Sequence, residues 1–377
     1  MRIIHLVDSM EVGGAETIIA LLCRLQRTRG HRPSVYCLYE IGAVGKRLEA
    51  EGFEVTLHFR PTVTGLMGSL YRGFKTSMPD VVHCHNATAA IIGAVPARVA
   101  GVKSVVVTRH GLVGPPYSLR RELKFAVASR FCDWVIAVCE EARLNLLAAP
   151  FASRNRIVRI YNGGNLVNTN GTTSLPKIGF TLLHVSRLSP VKDQESLLRA
   201  FALAKGSVPD LQLWIVGDGP LRPKLQELAR DLGVDAATRF FGEQADVGPF
   251  YRAADLFVMS SISEGLPMSL LESMSAGLPS VVTDVGGMRE VSHLTESVMT
   301  VPASDYEALG NAIRRAAENR FGFAQLRRAA QQCYQQNFTL ERMATDYIRL
   351  YDRSFDYHPS SLSPRGDAKQ LLGSFED

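Results

Sequence analysis

The chain has 377 residues, 46% of them hydrophobic, with six cysteines and a formal net charge of +5. That length suits two ordinary domains, each burying its own core. No apolar run approaches the ~20 residues that span a bilayer, and the opening Met1–Asp8 reads as a first strand, too short and without a cleavage-like site for a signal peptide.

Cys23, Cys37, Cys84, Cys132, Cys139 and Cys333 sit in apolar contexts with no Cys-x-x-Cys pair, a pattern of buried free thiols that favours the cytoplasm. Charge is unevenly spread: residues 1–180 hold 22 Lys and Arg against 12 Asp and Glu, and the remainder holds 20 against 25. A basic first half could attract an anionic membrane surface or a phosphate-bearing acceptor. A plain preference for surface arginine is the alternative. The arginines form no run interleaved with exposed aromatics, so nucleic acid is not expected.

Along the first half, apolar runs alternate with helical patterns: Ile3–Val7 then Glu16–Arg27, Ser34–Leu38 then Gly45–Glu51, Val55–Leu57, Val81–Cys84 then Ala87–Val99. Ser104–Val107, Leu119–Ser129, Trp134–Val138, Glu140–Leu147 and Ile157–Ile160 continue the series. Such alternation predicts a parallel sheet covered on both faces, with ligands at the carboxyl ends of its strands. Three polar loops lie there. Gly13 and Gly14 let backbone approach a ligand at a helix start, although the three-glycine dinucleotide fingerprint is absent and a tight turn explains them equally. His83 and His85 share one face of a strand; no further cluster completes a metal site, so hydrogen bonding to ligand hydroxyls or within the core is expected. His110, at a strand's carboxyl end before Gly111, suits a cleft or a structural role.

Residues 162–174 are rich in turn formers and read as a linker. The pattern then restarts with strands at Phe180–Val185, Leu211–Val216, Thr238–Phe241, Leu256–Met259 and Ser280–Thr283, and helices at Gln194–Leu203 and Arg222–Leu232. Arg187 and Lys192 follow the first of these strands. Two cations five apart could grip a diphosphate, Arg bidentately and Lys as a point charge, without Mg²⁺. As surface cations near a helix start they would oppose its dipole. Gly217-Asp218-Gly219-Pro220 and Gly286-Gly287 are further glycine turns after strands. Helical patterns at Asp305–Asn319, Phe323–Gln336 and from Thr339 to about Arg353 end the ordered chain, and the polar stretch past Tyr357 is expected to be disordered.

The stretch Glu264-Gly265-Leu266-Pro267 through Glu272 organises the rest. Pro267 should open a short helix, Pro267–Ala276, with one carboxylate ahead of it and one inside it. Glu272 shares a stripe with Met268 and so points inward or into a cleft, where a carboxylate needs donors. A ribose diol supplies two, and the amides around Gly265 to Met268 suit a diphosphate. Glu264 would then reach whatever that diphosphate carries. The bland alternative is an amphipathic helix with two surface glutamates.

Together, Glu264-Gly265-Leu266-Pro267 through Glu272, Ala276-Gly277-Leu278-Pro279, Gly286-Gly287 with Glu290, Arg187 and Lys192, Gly217-Asp218-Gly219-Pro220, Gly13-Gly14-Ala15-Glu16 and Asn162-Gly163 resemble the retaining glycosyltransferases of family 4. The resemblance covers the chain to about residue 353. It implies the α/β GT-B fold, two Rossmann-like doubly wound domains facing across a cleft: an acceptor-side domain over 1–165, a linker over 166–178, a nucleotide-sugar domain over 179–338, a helix over 339–353 returning to the first domain, and a disordered tail over 358–377. It implies that Glu272 binds the donor ribose, that Arg187 and Lys192 hold the diphosphate, and that Glu264 with the amides of Gly265, Leu266 and Pro267 contacts the transferred sugar. His110 resembles the histidine on the sugar side, and Gly13, Gly14 and Gly217 resemble donor-side loops. No metal and no cofactor beyond the sugar nucleotide is implied. Gly164-Asn165 depart from the family's apolar residue and Asp, which puts that loop's contact in question. The expected activity moves a sugar from a UDP- or GDP-linked donor to a glycan or lipid-linked acceptor, in the cytoplasm or peripherally at the inner membrane face. A nucleotide-sugar 2-epimerase and a catalytically silent sugar-nucleotide binder are the alternatives.

Overall fold

A computed structural model describes residues 1–112, 118–148, 154–164, 166–167, 175–319 and 322–352. The tail expected over 358–377 and most of the linker expected over 166–178 lie outside these residues.

The first sheet is built from β1 (Arg2–Ser9), β2 (Arg32–Glu40), β3 (Glu54–Leu57), β4 (Val81–His85), β5 (Ser104–Arg109), β6 (Trp134–Ala137) and β7 (Ile157–Arg159). Its order is β3-β2-β1-β4-β5-β6-β7, every pair parallel. The second comprises β8 (Thr181–Val185), β9 (Gln212–Val216), β10 (Thr238–Gly242), β11 (Leu256–Met259), β12 (Ser280–Thr283) and β13 (Val298–Val301), ordered β10-β9-β8-β11-β12-β13, again all parallel. The order reverses beside β1 in one sheet and beside β8 in the other, and those are the points where doubly wound sheets open a crevice at their carboxyl ends. This is the expected GT-B architecture. Central strands such as β4 and β5 are buried along their whole length, which is why they read as continuous apolar runs.

Some of the described elements escaped the sequence pattern or shifted. The helix Val63–Ser77 carries Leu66, Leu70 and Phe74 on its buried stripe behind a Thr62 cap, but Gly65, Gly68 and Gly73 dilute its helical signal. Gly73 is required, because a Cβ there would lie 2.9 Å from the His58 ring and 3.2 Å from Tyr36. Strand β13 is short, and Gly286-Gly287 opens a helix, Gly287–Leu294. Pro267 is the cap of the helix Met268–Ser275 rather than its first residue, with extended φ −72° and ψ 132°.

The last helix, Leu340–Tyr351, is capped by Thr339 Oγ1, which accepts from the Arg342 amide. Its Met343, Tyr347 and Tyr351 pack with Ile3, Ile18 and Leu22 of the first lobe. Gly164 explains the departure in the asparagine-glycine loop: a Cβ there would meet Leu271 Cβ at 2.8 Å, while its carbonyl accepts from Tyr334. Asn165 lies outside the described residues.

Candidate active site

The loop Glu264-Gly265-Leu266 lies where the two lobes meet and is held from three sides. Gly286 has φ +54°, and a Cβ on it would lie 1.9 Å from the Glu264 carbonyl oxygen. The Gly287 amide donates to the Gly265 carbonyl at 2.6 Å. From the first lobe, the His110 carbonyl oxygen stands 2.4 Å from where a Gly265 Cβ would be, and Asn162 Nδ2 donates to the Leu266 carbonyl at 2.8 Å. Only a glycine backbone at 265 and 286 permits this approach. Beyond Pro267, the first-turn amides of Met268–Ser275 lack partners within the helix, and an anion is favoured at such an end.

The carboxylates at the two ends of the motif have different partners. Glu264 accepts from the Lys192 ammonium. Both side chains are largely buried, at 10% and 19% exposed, so the pair is screened less than a surface bridge. Ser260 Oγ donates to the Lys192 carbonyl at 2.9 Å and steadies that turn. Glu272 instead accepts from the Tyr251 hydroxyl at 3.0 Å. Burial pushes its carboxyl up to about 7, and the Tyr251 bond opposes the shift. A carboxylate in that setting gains from any further donor.

Arg187 is exposed at the carboxyl end of β8, and two glycines of the next turn shape its loop. A Cβ on Gly217, at φ +123°, would lie 2.0 Å from the Ser186 carbonyl oxygen, and one on Gly219 would lie 2.3 Å from that of Leu188. Gly217 therefore acts on the Arg187 loop by allowing backbone contact. Gly13 caps the helix Gly14–Thr28, and the Gly14 Cβ position lies 3.9 Å from Met268 Cγ, so the opening loop faces the motif helix.

His110 is buried. Its Nε2 is 2.9 Å from His85 Nδ1, and its amide donates to Asn86 Oδ1 at 3.2 Å. Burial pushes its imidazole down to about 4, so it is neutral near pH 7. His5, His83 and His85 approach closely enough to hold a metal ion. Each of their ring nitrogens, however, is already engaged by Gln26, His85, His5, Tyr351, Thr108 or His110. They act as core hydrogen-bonding groups.

Sequence patterning missed Tyr251 and Asp8. Tyr251 lies on the short helix Gly248–Ala253 and is fully buried, and no spacing signal links it to Glu272. Asp8, near the carboxyl end of β1, has a buried Oδ1 without a hydrogen bond, and burial raises its carboxyl pKa. Its position after the apolar run Ile3–Val7 was the available signal. Glu290 also spans the lobes, accepting from the Glu141 amide at 2.9 Å and the Tyr161 hydroxyl at 3.0 Å.

Two family models match the chain: "Glycosyltransferase Family 4" over residues 12–167 and "Glycosyl transferases group 1" over 173–336. The putative glycosyltransferase EpsD of Bacillus subtilis is 30% identical over 286 residues, covering 68% of this chain and 72% of EpsD. The chain belongs to glycosyltransferase family 4. This family 4 enzyme is also 26% identical over 271 residues to an Escherichia coli UDP-Gal:alpha-D-GlcNAc-diphosphoundecaprenol alpha-1,3-galactosyltransferase, covering 67% of this chain and 70% of that one. Its fold is that of Anabaena HepE, solved with UDP-glucose, at a TM-score of 0.83 and 22% identity over 94% of this chain and all of HepE. WaaG, involved in lipopolysaccharide biosynthesis, aligns at 0.72 and 17% identity over 93% of this chain and 99% of its own. Among the described residues of the glycosyltransferase, no helix is long and apolar enough to cross a membrane.

Proposed function

We propose that this family 4 glycosyltransferase moves a hexosyl unit from a UDP-sugar to a lipid-linked glycan acceptor, with retention at the anomeric carbon and without a metal ion. The observation that supports this reading is the contact of the Glu264 loop, which carries the Glu264–Lys192 pair, with the His110 backbone of the first lobe at Gly265. The E. coli relative names a UDP-sugar and a diphosphoundecaprenol-linked acceptor, and HepE was solved with UDP-glucose. Glu272 would accept from the ribose hydroxyls, while Arg187, Lys192 and the amides beyond Pro267 would hold the diphosphate. The acceptor hydroxyl would attack on the face from which the diphosphate leaves. Positioning and stabilisation of the leaving-group charge supply the rate, and no enzyme nucleophile is required.

The acceptor side fits an anionic membrane surface. On the helix Leu119–Ser129, Leu119, Leu123 and Val127 recur every fourth residue and are 61%, 48% and 52% exposed. Arg120, Lys124 and Arg130 are exposed beside them, and the helix's acid, Glu122, is turned to Arg109. An apolar stripe bordered by cations lies in a headgroup interface.

The test is a panel of UDP- and GDP-sugars screened by thermal shift, followed by transfer to an undecaprenyl-diphosphate-linked sugar in the presence of EDTA. A UDP-sugar that stabilises the protein and is consumed only with acceptor, giving an α-linked product, supports the reading. Isomerisation of the donor in the absence of acceptor points instead to an epimerase, and stabilisation without turnover to a silent binder.

A further inference from the structure

Gln26, His5, His85 and His110 form one unbroken line of hydrogen bonds through the first lobe. Gln26 Oε1 lies 2.9 Å from His5 Nε2, His5 Nδ1 lies 3.0 Å from His85 Nε2, and His85 Nδ1 lies 2.9 Å from His110 Nε2. Gln26, His5 and His85 are wholly buried. Burial drives all three imidazoles well below their ordinary range, so each ring is neutral and carries a single N–H.

A neutral imidazole that donates from one nitrogen must accept at the other, so a choice made at one end passes down the line. In the orientation the structure gives Gln26, its carbonyl oxygen faces His5 and only accepts, which puts the His5 proton on Nε2 and leaves Gln26 Nε2 buried without a hydrogen-bond partner. His5 Nδ1 then accepts from His85 Nε2–H, and His85 Nδ1 accepts from His110 Nε2–H. His110 Nδ1 is left as a bare lone pair, and it is buried with no hydrogen-bond partner. A buried acceptor left unpaired is costly, and one beside a ligand cleft is satisfied by what the ligand brings.

The rest of the cluster holds this line in place. The His83 ring lies 4.0 Å from that of His85. Its Nδ1 meets the Tyr351 hydroxyl at 2.7 Å and its Nε2 meets Thr108 Oγ1 at 2.8 Å. The His110 carbonyl abuts Gly265 of the motif loop, so the backbone of the residue that ends the line stands against the Glu264 loop.

We infer that Gln26, His5 and His85 are positioning residues that set the tautomer of His110, so that Nδ1 accepts a hydrogen bond from a hydroxyl of the transferred sugar. The sugar half of this inference rests on the site reading above, and the tautomer half does not. The experiment is long-range ¹H–¹⁵N correlation on the full chain labelled with [¹⁵N]histidine, His110 being assigned by its disappearance in His110→Gln. The expected result is a proton on His110 Nε2 and none on Nδ1, and the opposite tautomer overturns the inference without any donor present. Gln26→Met removes the acceptor that starts the line and should mix the His110 tautomers, lowering kcat/KM for the donor about fivefold to tenfold and leaving the KM for acceptor unchanged. Gln26→Glu, which still accepts, should restore the single tautomer and most of the lost turnover. If Gln26→Met fails to fold, the wild-type spectrum alone decides the tautomer. Adding the UDP-sugar identified in the panel should shift the Nδ1 signal where UDP does not; an equal shift with both overturns the sugar contact. If no sugar nucleotide binds, the site reading fails and the tautomer result still stands.

Discussion

Lys192, on the turn after β8, donates its ammonium to Glu264, on the loop after β11. The cation assigned to the diphosphate is thus partnered, before any ligand arrives, by the acid assigned to the sugar. Lys192→Ala and Glu264→Ala should each cut turnover by on the order of 10², the scale for losing one preorganised charge stabiliser. Because the two touch, the double variant should lose clearly less than the product of the single losses. Steady-state rates for the four proteins form the cycle, and strictly multiplicative losses would show the pair to be uncoupled.

Arg187 differs in being exposed and outside any ion pair among the described residues. Arg187→Ala should leave the melting temperature within experimental scatter while turnover falls by on the order of 10² or more. Near-normal turnover would remove Arg187 from the diphosphate site.

Gly286 and Gly233 separate backbone strain from collision. Both have positive φ, +54° and +66°, but a Cβ at 286 meets the Glu264 carbonyl at 1.9 Å, whereas nothing lies within 4 Å of one at 233. Gly233→Ala should cost about 1–3 kcal/mol of stability in urea titration with turnover unchanged. Gly286→Ala should also displace the Glu264 loop and lower kcat, and equal activity in the two variants would sink that assignment.

Glu272, pushed up to about 7 by burial, would accept hydrogen bonds from both hydroxyls of a ribose diol only when ionised. Donor KM should therefore rise as pH falls below 7, about tenfold per unit. Tyr251 donates to Glu272 and lowers its pKa, so Tyr251→Phe should move the midpoint of that profile upward. A donor KM flat from pH 6 to 8 in both proteins contradicts the ribose role.

Burial holds His5, His58, His110 and His184 near 4, and His83 and His85 well below the ordinary 6.5. The unfolded chain takes up these protons first, so the histidines' contribution to stability is complete above 6.5. It is lost as pH falls from 6.5 through about 4, at up to about 1.4 kcal/mol per pH unit for each histidine. Urea titrations at pH 7.5, 6 and 5 should show the decline, and constant stability across them would mean that these rings are not buried neutral.

The alternation of apolar runs and helical stripes was enough to specify two parallel-sheet lobes, because each strand's burial and each helix's face depend on residues only a few positions apart. The motif from Glu264 to Glu272 and the glycine turns were legible for the same reason. The helix Val63–Ser77 was lost because three glycines weaken a local signal that tertiary packing against His58 and Tyr36 overrides. What only the folded chain decided are encounters between distant residues: Lys192 with Glu264, Tyr251 with Glu272, Asn162 with Leu266, and Gln26 with the histidine line. Hydrogen bonds of this kind have no period along the chain, since their partners are set by sheet order and lobe contact. The amino-acid order determined which surfaces would be buried, and three-dimensional closure determined which polar atoms would face one another there.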